Sequence, residues 1–417
     1  MVLVLKTNKY SLAFAILLAV FSAIGPFTID MYLASFPNIM GNFETKASMV
    51  QASLTSCILG IAFGQIIMGA LSDVYGRRKP LLISMIVYSL SSFACAFAPN
   101  ITVFIILRFI QGFAGAAGIV ISRAIVRDLY SGIELTKFFS LLTIIFNLAP
   151  LIAPLAGSAI IFFTPWVGIF IFLGFFGILL STLTALKIKE SLPAERRVSS
   201  DFMGLLKNFK DLLKHRRFMG YTLVQGILFA GVFAYISGAS FIYQKIYDVT
   251  PQLFSMLFAL NGISLILGAQ IVKLLAGRIK EDSILLIGLA LAFIAGTIVL
   301  IEVFLHGPLM MLVIPLFFLN AAIGMTGPTS FTLAMESQGH TAGSAAALLG
   351  VMPTLLGAVT SPLVGVAGEN SAVPFGVIIF TTSLLSLIAY VALAKTAILQ
   401  PFPKKFGHNK LRTKSRF

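Results

Sequence analysis

Charge is scarce in this chain. Only 11% of its 417 residues are Asp, Glu, Lys or Arg, against about 25% in a soluble globular domain. That scarcity excludes a water-exposed surface over most of the length. Cysteine is scarcer still. Cys57 and Cys95 both fall inside apolar runs and offer neither a disulfide framework nor a zinc site. The four histidines are scattered and form no H-E-x-x-H pattern, so no metal and no metallohydrolase is expected. No G-x-x-x-x-G-K-[ST] phosphate loop occurs, which removes the usual nucleotide site of a primary pump. Neither a cofactor nor enzymatic activity is expected.

What remains is apolar sequence. Hydrophobic residues make up 58%, mean hydropathy is +0.98, and runs of roughly 20 apolar residues recur throughout, the length at which a helix crosses a bilayer with every backbone group satisfied. Twelve spans are predicted, near 11–36, 48–71, 80–98, 101–126, 136–160, 164–186, 218–243, 252–275, 283–304, 308–332, 342–366 and 372–394. The first follows Lys6 and Lys9 as a signal peptide would. It runs too long and lacks a clear small-residue cleavage site, so it reads as a retained helix.

The longest polar interval divides the spans six and six. The predicted organisation is an N-terminal half (1–187), a linker (188–217), a C-terminal half (218–395) and a basic tail (396–417). Within the linker, Phe202, Leu205, Leu206, Phe209, Leu212 and Leu213 recur at helical spacing opposite lysines. They predict an amphipathic helix over 201–213 lying on the membrane face. The net charge of +15 is not read as nucleic-acid binding. With both termini cytoplasmic, every Lys and Arg except Lys46, Lys245 and Arg108 falls in a cytoplasmic segment or at a cytoplasmic helix end. The bilayer is the expected partner, with the tail against its anionic leaflet. No oligomer is expected.

One short loop concentrates charge. "GALSDVYGRRKPLL" (69–82) joins spans two and three. Gly69 is expected to allow close helix approach, Asp73 to sit past the helix end, and Gly76 to supply the positive φ of a tight turn. Arg77, Arg78 and Lys79 are expected to anchor the turn at lipid headgroups. A topology anchor would explain these basic residues but not the acid or the glycine spacing. The pattern G-x-L-x-D-x-x-G-R-R-K resembles the loop motif of the major facilitator superfamily. "KLLAGRIKED" (273–282) is a degenerate second copy that keeps Gly277 and Arg278. "TIDMYLASFP" (28–37), "RFIQGFAGAAG" (108–118), "RAIVRDLY" (123–130), "APLIAPLAG" (149–157) and the 327–350 segment are similar to the Bcr/CflA branch of drug:proton antiporters. The resemblance covers nearly the whole chain and departs at Ala34, where that branch usually has proline.

The resemblance implies an all-α membrane protein of twelve helices in two pseudo-symmetric halves, a proton-coupled exporter of drug-like molecules in the bacterial inner membrane. It implies that Asp73 pairs with a basic residue on span four, Arg123 or Arg127, and with the start of span eleven as a latch between the halves. It also implies an exporter hinge at Pro150, Pro154 and Gly157.

Two charges lie inside predicted spans, Asp30 and Arg108, at matched depth. They are expected to pair and to couple transport to protons. The competing readings are an interfacial Asp30 and an Arg108 snorkelling to headgroups. Arg108, Gln111, Gly112, Gly115 and Ala116 share one helical face suited to tight packing. Tyr32, Gln111, Asn147, Asn261 and Asn320 are candidate pocket residues, amides that interhelical bonding would equally explain. The abundance of aromatics, 38 Phe among them, suits an apolar substrate. A channel would need rings of charge or a filter repeat, which are missing. The rival function is a transporter of a physiological solute such as an amino acid, nucleobase or siderophore.

Overall fold

The computed structural model describes residues 12–395 apart from 131, 198–209, 337, 339–341 and 369. Long apolar runs become long helices: α1 (Leu12–Asp30), α2 (Ala47–Tyr75), α3 (Arg78–Ala96), α4 (Ile101–Leu129), α5 (Gly132–Phe163) and α6 (Val167–Lys187) form the first half. The second half comprises α7 (Arg216–Phe241), α8 (Pro251–Leu275), α9 (Glu281–Leu305), α10 (Leu309–Met335), α11 (Ala342–Leu363) and α12 (Val373–Ala389). The chain is an all-helical, multi-pass membrane protein of twelve spans in two six-helix halves. Of the predicted linker helix, 210–214 are helical and 201–209 lie outside the described residues, as do Lys6, Lys9 and the tail from 396.

The first span departs from its predicted course. Rather than running to residue 36, α1 stops at Asp30, passes through a turn and a 3-10 segment at Leu33–Ser35, and resumes as a short helix, Phe36–Asn42. Carbonyls in the last turn of a helix have no partner further along it, and here other helices supply the donors. Ser240 Oγ donates to the Leu33 carbonyl, and Gln244 Nε2 to that of Ala34 at 3.1 Å. Gln51 Nε2 donates to the Ser237 carbonyl at 3.3 Å. These three bonds join the halves at the end of the bundle opposite the 76–78 turn.

Helices in a bilayer approach closely only where side chains are small. On α2 and α4 the close pairs are Gly60 against the Phe109 backbone, Gly64 against Phe113 and Gly112 against Cys57; at each a Cβ would overlap main-chain atoms. Gly112 and Gly115 meet the expectation for their face, Gly115 lying beneath Tyr88. Gly69 does not. A Cβ there would make ordinary contact with the Val120 side chain at 3.5 Å, so no close backbone approach depends on this glycine.

Gly157 on α5 faces the break in α1, and a Cβ there would overlap the Met31 carbonyl. Gly157→Ala is expected to lower stability by roughly 1–3 kcal/mol, since backbone rather than a flexible side chain must move. Gly350→Ala on α11, with open space around it, is expected to be neutral or slightly stabilising. Thermal melts of the two purified variants check this; equal melts would show that the α1–α5 contact is loose.

Candidate functional site

The halves enclose a cavity of about 250 Å³. Asp30, Pro26 and Ile29 reach it from α1, Gln65 from α2, Phe146 and Pro150 from α5, Phe233 and Tyr235 from α7, and Phe258, Asn261 and Asn320 from α8 and α10. Among the described residues Asp30 is the sole charged one lining it, and it is 4% exposed. Asn261 Nδ2 donates to the Tyr235 hydroxyl at 2.8 Å, while its Oδ1 has no hydrogen-bond partner. Asn320 Nδ2 donates back to the Leu316 carbonyl at 2.9 Å. The site is therefore apolar and aromatic with one acid and a few amides.

Arg108 is not beside that acid. The carboxylate of Asp30 and the guanidinium of Arg108 lie more than 4.0 Å apart and form no ion pair. The expected direct pair is thus corrected, and helical geometry gives the reason. Thr28 and Asp30 are two residues apart, about 200° around α1, so they face opposite sides. Arg108 is bound to the Thr28 side: its Nη2 donates to the Thr28 carbonyl at 2.9 Å, and its Nη1 to Gln111 Oε1. Gln111 Nε2 passes a bond of 2.8 Å to Ser92 Oγ, which donates to the Tyr88 carbonyl at 2.7 Å. The Tyr88 hydroxyl lies 2.8 Å from Thr28 Oγ1 and closes the circuit. Arg108 also lies 4.2 Å from the Tyr32 ring centroid and 5.6 Å from that of Phe170, within cation–π range. A cation at the C-terminal end of α1 is favourably placed against the helix dipole.

Two pocket expectations fall with this arrangement. Tyr32 and Gln111 are fully buried in the Arg108 cluster, not in the cavity, with the Tyr32 hydroxyl 3.2 Å from Ser53 Oγ. Asn261, Asn320 and Pro150 do line the cavity, and Pro154 is buried within α5. The side chain of Asn147 lies outside the described residues. Gln65 and Tyr235 are cavity residues that the sequence reading missed. Their helices are apolar all round, so no periodicity marked the inward face.

At the 76–78 turn, Gly76 has φ 87°, the left-handed conformation expected of it, and Gly277 at the corresponding turn of the second half has φ 78°. Arg77 does not reach for headgroups. Its side chain is 2% exposed because two acids enclose it: Asp73 at 2.6 Å and Asp128, on α4, at 2.8 Å. Burial works against the charged guanidinium, yet these bonds hold its pKa above the usual arginine value. Glu190 accepts from the backbone amides of Arg77 and Arg78 at 2.8 and 3.2 Å, a carboxylate at the start of α3. Arg78 donates to the Ala185 carbonyl at 2.7 Å.

Asp73 is half exposed and takes its cation from its own turn. Arg123 instead sits 5.5 Å from the Phe146 ring centroid, and Arg127 is exposed and forms no ion pair among the described residues. In this conformation, then, the expected pairing of Asp73 with span four is absent: Arg77, four residues away, is nearer. Residues 339–341, which open α11, lie outside the described residues.

Residues 12–362 match the sequence model of the Major Facilitator Superfamily. The chain belongs to that superfamily. Among relatives within it, an uncharacterized MFS-type transporter, YdgK of Bacillus subtilis (strain 168), is 49% identical over 94% of this chain and 98% of its own length. A bicyclomycin resistance protein homolog of Haemophilus influenzae is 30% identical over 93% and 97%. A chloramphenicol resistance protein of Pseudomonas aeruginosa is 26% identical over 91% and 90%. These relatives bear out the resemblance to the Bcr/CflA branch. A bacterial homolog of the human lysosomal transporter Spinster, in an inward-facing and unoccupied conformation, superposes with a TM-score of 0.71 at 15% identity, over 92% of this chain and 95% of that one. That likeness establishes the superfamily fold.

Proposed function

We propose that this transporter exports apolar, drug-like small molecules from the cytoplasm in exchange for protons, working as a single chain in the bacterial inner membrane with both termini cytoplasmic. The observation that carries the reading is the cavity between the halves, apolar and aromatic apart from one acid, Asp30, and the amides of Gln65, Asn261 and Asn320. Such a lining suits varied lipophilic compounds better than a single polar metabolite. The names of the bicyclomycin, chloramphenicol and multidrug resistance relatives support the same substrate class.

In this reading Asp30 exchanges its proton as the cavity changes from wet to compound-filled. Arg108 holds the end of α1 so that Asp30 stays in the cavity wall. Pro150, Pro154 and Gly157 form the surface on which α5 moves against α1. The inter-half bonds at Leu33, Ala34 and Ser237 close the periplasmic end, and the 76–78 turn lies at the cytoplasmic end. Asp73 belongs to a latch that forms when this end closes, exchanging Arg77 for partners on α4 and α11. Alternating access then follows from rocking one half against the other.

The test is a panel of toxic lipophilic compounds on cells expressing the protein, with accumulation measured with and without a protonophore. The expected result is a rise in tolerance to several unrelated compounds and lowered accumulation, both lost when the protonophore is added. Export that survives the protonophore would overturn the coupling. Accumulation rather than export of the compounds would overturn the direction.

A further inference from the structure

A second buried acid lies well away from the cavity. Glu302 is in the last turn of α9, three residues before its end at Leu305, and is 4% exposed. Its Oε1 has no hydrogen-bond partner. The carboxylate lies against Gly307, where a Cβ would overlap it, so the turn into α10 is shaped around the acid. The phenol of Tyr247, in the loop after α7, is pushed up by its burial and by the nearby Glu302 carboxylate.

Glu302 lines a groove of about 350 Å³ between α9 and α10. Among the described residues it is the sole polar one there. Ile294 and Ile298 on one wall and Met311, Ile314 and Phe318 on the other are all exposed on the outside of the bundle. In a membrane-spanning chain that surface meets lipid, and the groove shares no lining residue with the central cavity. A buried acid is costly unless a proton or a cation meets it, and none of the described residues lining this groove supplies one. At 1.5 Å per residue, Glu302 is about 4.5 Å from the helix end, a depth that a charged head can reach from the headgroup layer.

We propose that the groove binds an amphiphilic ammonium compound from the bilayer, its cationic head against Glu302 and its apolar chain between α9 and α10. One anion at the end of an otherwise apolar trough selects that chemistry, and the volume is within the range of small-molecule sites. An alkylammonium solute and the ammonium of a lipid headgroup share it. This site is independent of Asp30 and of the export mechanism.

The test is saturation binding of radiolabelled dodecyltrimethylammonium to the full chain in nanodiscs, above the level of empty discs. Glu302→Gln is expected to weaken binding at least tenfold. Met311→Trp, which obstructs the groove from its lipid face and leaves the core intact, is expected to do the same. Discs of phosphatidylglycerol alone are compared with discs containing phosphatidylethanolamine. A weaker apparent affinity in the second assigns the groove to the lipid ammonium, and equal affinities assign it to the soluble amphiphile. Undiminished binding by Glu302→Gln and Met311→Trp would overturn the proposal. So would loss of binding in Asp30→Asn alone, which would place the probe in the central cavity.

Discussion

Asp30→Asn is expected to eliminate uphill export while leaving compound binding within about an order of magnitude of wild type. The substitution keeps the shape of the side chain and its hydrogen-bonding capacity. Among the described residues it removes the one carboxyl of the cavity wall, and no described Lys, Arg or His lines the cavity to take over. Because no cation lies within 4.0 Å of Asp30, its proton occupancy depends on what fills the cavity rather than on a fixed partner. The measurement is proton release on adding compound to lightly buffered, detergent-solubilised protein. Wild type should release protons; Asp30→Asn should release none. Undiminished release from the variant would overturn the assignment, and Glu134 would be the acid to examine next.

Arg108→Ala is expected to lower stability by about 2–4 kcal/mol. The change strands the Thr28 carbonyl and Gln111 Oε1, each a buried group losing a charged donor, at roughly 1–3 kcal/mol apiece before the relief of desolvating the guanidinium is subtracted. It also empties the space between Tyr32 and Phe170. Arg108→Lys keeps the charge but not the planar fork that reaches both acceptors, so it should recover only part of the loss. Thermal melts of the purified variants, followed by the monomer peak on size exclusion, decide this. A melt of Arg108→Ala equal to wild type would mean that the end of α1 is held elsewhere.

The helices were legible because bilayer thickness sets their length and hydropathy marks it. Arg78–Ala96 and Pro251–Leu275 fall within about two residues of their predicted limits. The break after Asp30 was not legible. Pro26 and Pro37 flank it, but no glycine or proline occupies 27–36. The carbonyls it exposes are satisfied by Arg108, Ser240 and Gln244, two of them some 210 residues away in sequence. Asp30 and Arg108 were recognisable as buried charges from residue type and depth. That Arg108 binds the Thr28 side of α1, about 200° around the helix from Asp30, follows from how α1 is rotated against α4, which the sequence did not mark. Gln65 and Tyr235 show the same limit: in helices apolar on every face, rotation about the axis leaves no trace in the pattern.

The break in α1 has a consequence for how the two ends of the protein answer to solution conditions. The acceptors at Leu33, Ala34 and Ser237 are main-chain oxygens. No substitution can delete them, and neither ionic strength nor acidity alters them. Only the donors Gln51, Ser240 and Gln244 can vary. The 76–78 turn is held by carboxylates around a guanidinium, charge interactions that added electrolyte weakens at the half-exposed Asp73. Added salt therefore acts on the 76–78 turn and leaves the main-chain contacts at the other end of the bundle unchanged.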